Sequence, residues 1–222
     1  MKMSFNVPVF ILDSCLAYTD EVIGKIEFTC KNNQLFIGAT DNYALFLTQL
    51  SKFHNDGNMI GFGEFTFTFP ARYIKGFIDG ICKMKKITAK TRNMMFIEFR
   101  VSRDENKDVC VVMVDKVSET QSTVLKVLDY RNDNIYGTLV HNLPSLIEKN
   151  DPSKEEATHL PVKEYSRAKK VRKYIYLKGA DPIFKENGWK KPAFIFDEKY
   201  IIVAQGFKPN NFMIDSDFWK NV

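Results

Sequence analysis

The sequence predicts an α+β domain in which two helices pack on one face of an antiparallel sheet. Three observations predict it. The 222 residues include 19 Phe and 9 Tyr, and many of these lie in alternating runs that suit half-buried strands. Two segments instead carry apolar residues at helical spacing. The periods also follow a definite order: strand, helix, three strands, loop, strand, helix, then three or more strands.

Ser4-Phe5-Asn6-Val7 reads as a short strand. Pro8 suits a first helical position, and over 8–18 the residues Ile11, Leu12, Cys15 and Leu16 share one helical face. Residues 23–30 alternate, Lys31-Asn32-Asn33-Gln34 makes a turn, and 35–40 returns as a strand, the Asn pair tolerating positive φ. After Asp41-Asn42 comes a strand over 44–48, then a polar loop around Asn55-Asp56-Gly57-Asn58. Residues 64–69 alternate strictly, with Phe65, Phe67 and Phe69 on one face and Glu64, Thr66 and Thr68 on the other. Pro70 ends that run. A helix over 72–84 is predicted from Tyr73, Ile74, Phe77, Ile78 and Ile81. Strands are expected at 86–90, 95–101, 109–114 and 123–128, with a charged hairpin loop over 102–107.

This first unit fills about 1–130. Residues 129–134 read as a linker, 143–149 as a short helix, and 150–158 as a loop. A basic helix is expected over 163–177, with Tyr165, Ala168, Val171 and Ile175 as its buried stripe. The pattern 193–196, turn, 200–204 reads as a hairpin, and the aromatic tail 212–219 is expected to dock. Residues 131–222 thus form a smaller second domain or an appendage.

Charge and cysteines narrow the function. The formal net charge is +5, of which +1 lies in residues 1–150 and +4 in 151–222. Cys15, Cys30, Cys82 and Cys110 have no zinc-knuckle or CxxC spacing and read as reduced thiols of an intracellular protein. No signal-peptide core and no membrane-length apolar run are present, so a cytoplasmic location with no membrane partner is expected. No P-loop, GxSxG or HExxH occurs, and Gly61-Phe62-Gly63 precedes a strand rather than a helix. His54, His141 and His159 lie far apart. Asp104, Glu105 and Asp108 read as a solvated turn rather than a metal site. No catalytic residue, metal or cofactor is expected.

Two basic elements stand out. One is the 72–84 helix with Arg72, Lys75 and Lys83, followed by Lys86. The other is the 163–177 helix with Arg167, Lys169, Lys170, Arg172 and Lys173. Each could present cations to a phosphate backbone or be an ordinary solvated face.

An ordered series of motifs resembles a known family. Ala39-Thr40-Asp41-Asn42-Tyr43-Ala44-Leu45 is similar to the Ala-Thr-Asp-Gly-His-Arg-Leu strand end in the middle domain of the bacterial DNA polymerase III beta subunit, the sliding clamp. Ala39, Thr40, Asp41 and Leu45 match; Asn42, Tyr43 and Ala44 replace Gly-His-Arg. Phe67-Thr68-Phe69-Pro70-Ala71-Arg72 resembles the strand-to-helix junction of that domain. The resemblance covers about 4–130 and fades after 145.

The resemblance implies a DNA-clamp-like domain with a reduced second domain. It implies helices facing duplex DNA, contacted through charge and without sequence preference. Arg72, Lys75, Lys83, Lys86, Arg167, Lys169, Lys170, Arg172 and Lys173 would form that surface. It also implies a client-peptide pocket at Thr40, Asn42, Tyr43, Ala44 and Leu45. The implied protein is no enzyme. It is a processivity factor, with a DNA polymerase, clamp-loader-like proteins and further copies in a homo-oligomeric ring as partners; the small size and reduced second half are what point to a phage or mobile-element origin. The alternative is a monomeric clamp-fold adaptor or decoy that binds client peptides without encircling DNA.

Overall fold

The strands divide into two antiparallel sheets rather than one. The computed structural model describes residues 2–19, 24–41, 43–57, 59–60, 63–103, 109–115, 120–124, 128–132, 139–150, 155–156, 161–177, 181–186 and 192–204. The expected tail at 212–219 lies outside the described residues. Strands β1 (Lys2–Pro8), β6 (Phe96–Arg103), β7 (Val109–Asp115) and β8 (Thr120–Val124) form one sheet in the order β1-β6-β7-β8. The second sheet uses β2 (Lys25–Lys31), β3 (Gln34–Thr40), β4 (Ala44–Gln49), β5 (Phe65–Pro70), β9 (Leu128–Asn132), β10 (Glu155–Glu156), β11 (Lys185–Glu186), β12 (Ala193–Phe196) and β13 (Tyr200–Ala204). Its order is β10-β11-β12-β13-β4-β3-β2-β5-β9. Strands from the first and last parts of the chain therefore share one sheet, joined where β13 pairs with β4.

Phenylalanines glue the two sheets. Phe5 and Phe99 point from the four-stranded sheet, and Phe28, Phe67 and Phe69 from the nine-stranded one. Ring centroids lie 4.9 Å apart for Phe28–Phe67, 5.0 Å for Phe28–Phe99, 5.9 Å for Phe5–Phe28 and 6.2 Å for Phe69–Phe99. All five are buried. The alternation at 65–69 places them there because successive strand side chains face opposite ways. The opposite face of β5 is not solvent-facing throughout: Thr66 is also buried and shares a 2.8 Å hydrogen bond with Thr29 on β2.

The helices α1 (Val9–Leu16), α2 (Ala71–Met84) and α5 (Val162–Tyr176) all feed this main core. They do so through Ile11, Leu12 and Cys15; Ile74, Ile78 and Ile81; and Ala168 and Val171. Two residues of the expected buried stripes differ. Tyr73 is exposed and carries the Arg72 guanidinium over its ring at 5.0 Å. In α5 it is Glu164, not Tyr165, that is buried.

Three local expectations are corrected. Residues 86–90 are not a strand: Lys86 sits at φ 52, Thr88 accepts from the Thr91 N–H, and the short helix α3 (Ala89–Asn93) follows. A Thr N-cap redirects the chain where alternation alone suggests extension. The predicted linker at 129–134 is largely β9, whose partner β5 is distant in sequence and so invisible to local pattern. The expected strand at 123–128 is instead β8 and the start of β9, with residues 125–127 outside the described set.

Helix α4 (Leu139–Asn150) replaces the shorter helix expected at 143–149 and lies on the other face of the large sheet. Along β4, Ala44 and Phe46 enter the main core, while Leu45 and Leu47 join Val140, Leu143, Phe194 and Val203 in a separate cluster. The Glu27 carboxylate accepts from the Leu139 N–H at 2.9 Å, a favourable place for an anion at a helix N-terminus. Gly38 lies directly beneath. A Cβ there would stand 2.8 Å from Leu139 Cδ1, 2.8 Å from the Phe46 carbonyl oxygen and 2.9 Å from Leu47 Cδ1. Gly38→Ala is therefore expected to cost about 1–3 kcal/mol by overpacking, read as a lower urea midpoint. An unchanged midpoint would mean that α4 does not rest on β3.

Among the described residues, no helix is long and apolar enough to cross a membrane, and no three His, Cys, Asp or Glu side chains group as a metal site. Asp104, Glu105 and Asp108 lie outside the described residues.

Candidate functional site

α1 runs between α2 and α5. Their exposed faces enclose a groove of about 560 Å³. On one side Arg72 and Lys75 rise from α2, and on the other Lys170 and Tyr174 from α5. The α2 cations sit one turn apart because positions three or four apart share a helix face. Gly76 and Ala71 leave the wall between them low.

The floor carries opposite charge held in check. Arg92 of α3 grips Asp13 of α1 with two parallel hydrogen bonds, Nε to Oδ2 at 2.9 Å and Nη2 to Oδ1 at 2.7 Å. Its Nη1 donates to Asp79 of α2 at 3.0 Å. Such bidentate pairs are the strong, directional kind. The Asp13 hydrogen bonds hold the Arg92 guanidinium even more firmly protonated than usual. Burial, together with the nearby Asp13 charge, raises the Tyr174 hydroxyl pKa although Arg92 opposes that shift, so Tyr174 stays neutral.

The structure sorts the expected cations. Arg72, Lys75 and Lys170 meet at the groove. Lys83 and Lys173 are exposed on α2 and α5, and Lys86 just past the end of α2. Lys169 is exposed but ion-paired with Asp181 at 2.9 Å. Arg172 leans toward Asp197 at 4.0 Å and over the Tyr176 ring.

Arg167 does not face solvent. Its side chain is 13% exposed and pairs with Asp41 at 2.6 Å and Glu164 at 3.1 Å, over the Tyr18 ring. It pins α5 to the β3–β4 turn. A second tie holds the other end of α5, where the Tyr176 hydroxyl donates to Asp197 in the β12–β13 turn.

Sequence reasoning missed Arg92 and Asp41. Arg92 gave no signal, because the partner that defines it lies 79 residues away. Asp41 was visible only as part of a motif.

Asp41 organises its turn. Its carboxylate accepts from the Tyr43 N–H at 3.1 Å and the Ala44 N–H at 3.0 Å. Burial pushes its pKa up, but the Arg167 hydrogen bond and those two N–H groups outweigh it and hold the carboxyl below its usual range.

No protein-family model matches the chain, and no curated protein matches its sequence. Solved structures do match. The Bacillus subtilis DNA polymerase sliding clamp superposes with a TM-score of 0.52 at 11% identity, over 94% of this chain and 65% of that one. The C. crescentus beta sliding clamp gives 0.51 at 11%, over 94% and 66%. The DNA polymerase III subunit beta of Pseudomonas aeruginosa gives 0.51 at 11%, over 99% and 68%. The fold is clamp-like. The likeness extends beyond the 4–130 segment that carries the sequence resemblance, and this clamp-like chain spans about two thirds of the length of those clamps.

The residues that the resemblance implies as a client-peptide pocket do not, where described, meet at one surface. Thr40 donates to the Ala44 carbonyl, Tyr43 is exposed, and Ala44 is buried in the main core. Leu45 faces the opposite way, packed with the α4 cluster. Strand alternation separates neighbours 44 and 45 across the sheet. Asn42 lies outside the described residues.

Proposed function

We propose that this chain is a sliding-clamp-like DNA polymerase processivity factor, working in the cytoplasm and performing no chemistry of its own. It holds duplex DNA through charge and tethers a polymerase, with loader-like proteins and further copies as partners. The observation that carries this reading is the pair of cationic rails, Arg72 and Lys75 on α2 and Lys170 on α5, on one helical face of a clamp-like fold. Lys83 and Lys173 extend the rails along the same helices.

Salt-titrated binding to a 30-base-pair duplex tests it. With about four phosphates neutralised, log K should fall against log salt with a slope of about −3.6. Two unrelated sequences of equal length should bind alike. Undetectable affinity at low salt, or strong sequence preference, would overturn the reading.

One observation favours the adaptor alternative. The outer edge of β4 is already paired with β13 of the same chain, so it is not open to a second copy. A ring would have to close through other edges. A sedimenting monomer at high concentration together with absent duplex affinity would establish the adaptor instead.

A further inference from the structure

The groove has an unusual charge plan. Two of its carboxylates, Asp13 and Asp79, lie between cations on either side. Asp13 is 8% exposed and Asp79 is 49% exposed. Either alone would oppose an anion entering the groove. Both are held by one guanidinium, Arg92, which belongs to neither rail and whose side chain is 24% exposed. All three of its donor nitrogens are used toward this pair.

We propose that Arg92 is a positioning residue that sets the strength of the groove's positive charge: the described lining carries four cations against two carboxylates with it, and three against two without it. By holding Asp13 and Asp79 it turns both carboxylates toward itself and offsets one of their two charges, so that Arg72, Lys75 and Lys170 outweigh what remains. Arg92 itself need not touch the ligand. Its effect is electrostatic and acts through its partners. The inference rests on the reading of the groove as a nucleic-acid interface.

The test compares wild type, Arg92→Gln, Asp79→Asn and the Arg92→Gln/Asp79→Asn pair on the same 30-base-pair duplex. Arg92→Gln should bind about tenfold more weakly near 0.1 M salt, with a salt slope shallower by about 0.9, the loss of one effective charge. Asp79→Asn should bind several-fold more tightly. The pair should return to within about threefold of wild type, because the groove regains its net charge. A purely structural Arg92 would leave the pair as weak as the single variant, and that result overturns the proposal. Should Arg92→Gln fail to fold, Asp79→Asn decides, since Asp79 is half exposed; no tightening there also overturns it.

Elution from a heparin column, run in parallel, separates the two readings. The same affinity order on heparin without duplex binding would sustain Arg92 and sink the DNA function. Duplex binding by wild type without that order on either polyanion would do the reverse.

Discussion

Arg167→Ala is expected to lower folding stability by about 3 kcal/mol, measured from urea unfolding at neutral pH. Two carboxylates share this one guanidinium: Asp41, 8% exposed, and Glu164, 6% exposed. Removing the cation leaves two neighbouring negative charges uncompensated away from water, which costs about 3–5 kcal/mol in comparable buried pairs. The lower end applies because Lys163, 3.9 Å from Asp41 and exposed, can swing in as a weaker substitute. Arg167→Lys keeps the charge but not the fork, and should fall between wild type and alanine. Adding Asp41→Asn and Glu164→Gln to Arg167→Ala should recover most of the loss, because nothing charged is then left unpaired. A loss under about 1 kcal/mol would mean that the network is solvated and does not hold α5 in place.

The same network sets an acid limit. The Asp41 carboxyl is held below its ordinary range in the folded chain. A lowered folded pKa stabilises fully above the unfolded value of about 3.9 and is lost as pH falls through the folded value. The stability gap between wild type and Arg167→Ala should therefore be large at pH 7 and shrink below about pH 4. A gap that stayed constant down to pH 3 would exclude Asp41 as its source.

What the sequence made legible follows from range. The hairpin of β12 and β13 and the extent of α5 match the pattern almost residue for residue, because alternation and helical spacing are local. β9 was read as a linker because only its pairing with β5 makes it a strand. The charges show the same limit more sharply. Arg167 and Lys170 stand one turn apart on a helix that reads as uniformly basic. One is buried against Asp41 and the other lines the groove. Nothing in the helix itself distinguishes them. The distinction comes from a turn contributed by a different part of the chain. Glu164, the lone acid in that basic run, was the available clue, since an isolated acid among cations is a candidate buried partner.

That sorting decides which charges should matter for binding. Reversing Arg72, Lys75 and Lys170 together to Glu is expected to weaken duplex binding by about a thousandfold near 0.1 M salt, each lost phosphate contact contributing about tenfold through counterion release. The fold should survive, since all three side chains are exposed and none forms an ion pair among the described residues. The melting temperature should stay within a few degrees of wild type. Lys52 and Lys149 supply the control. Both are exposed; Lys52 borders a small cleft beside Leu47 and Ile201, and Lys149 belongs to α4, across the large sheet from the groove. Reversing them changes the net charge by four without touching the rails. If affinity followed net charge alone, this pair would approach the triple variant. If it follows the groove, the pair stays within about threefold of wild type. A triple variant that binds duplex nearly as well as wild type would show that the helical face is not the interface, whatever the fold it sits on.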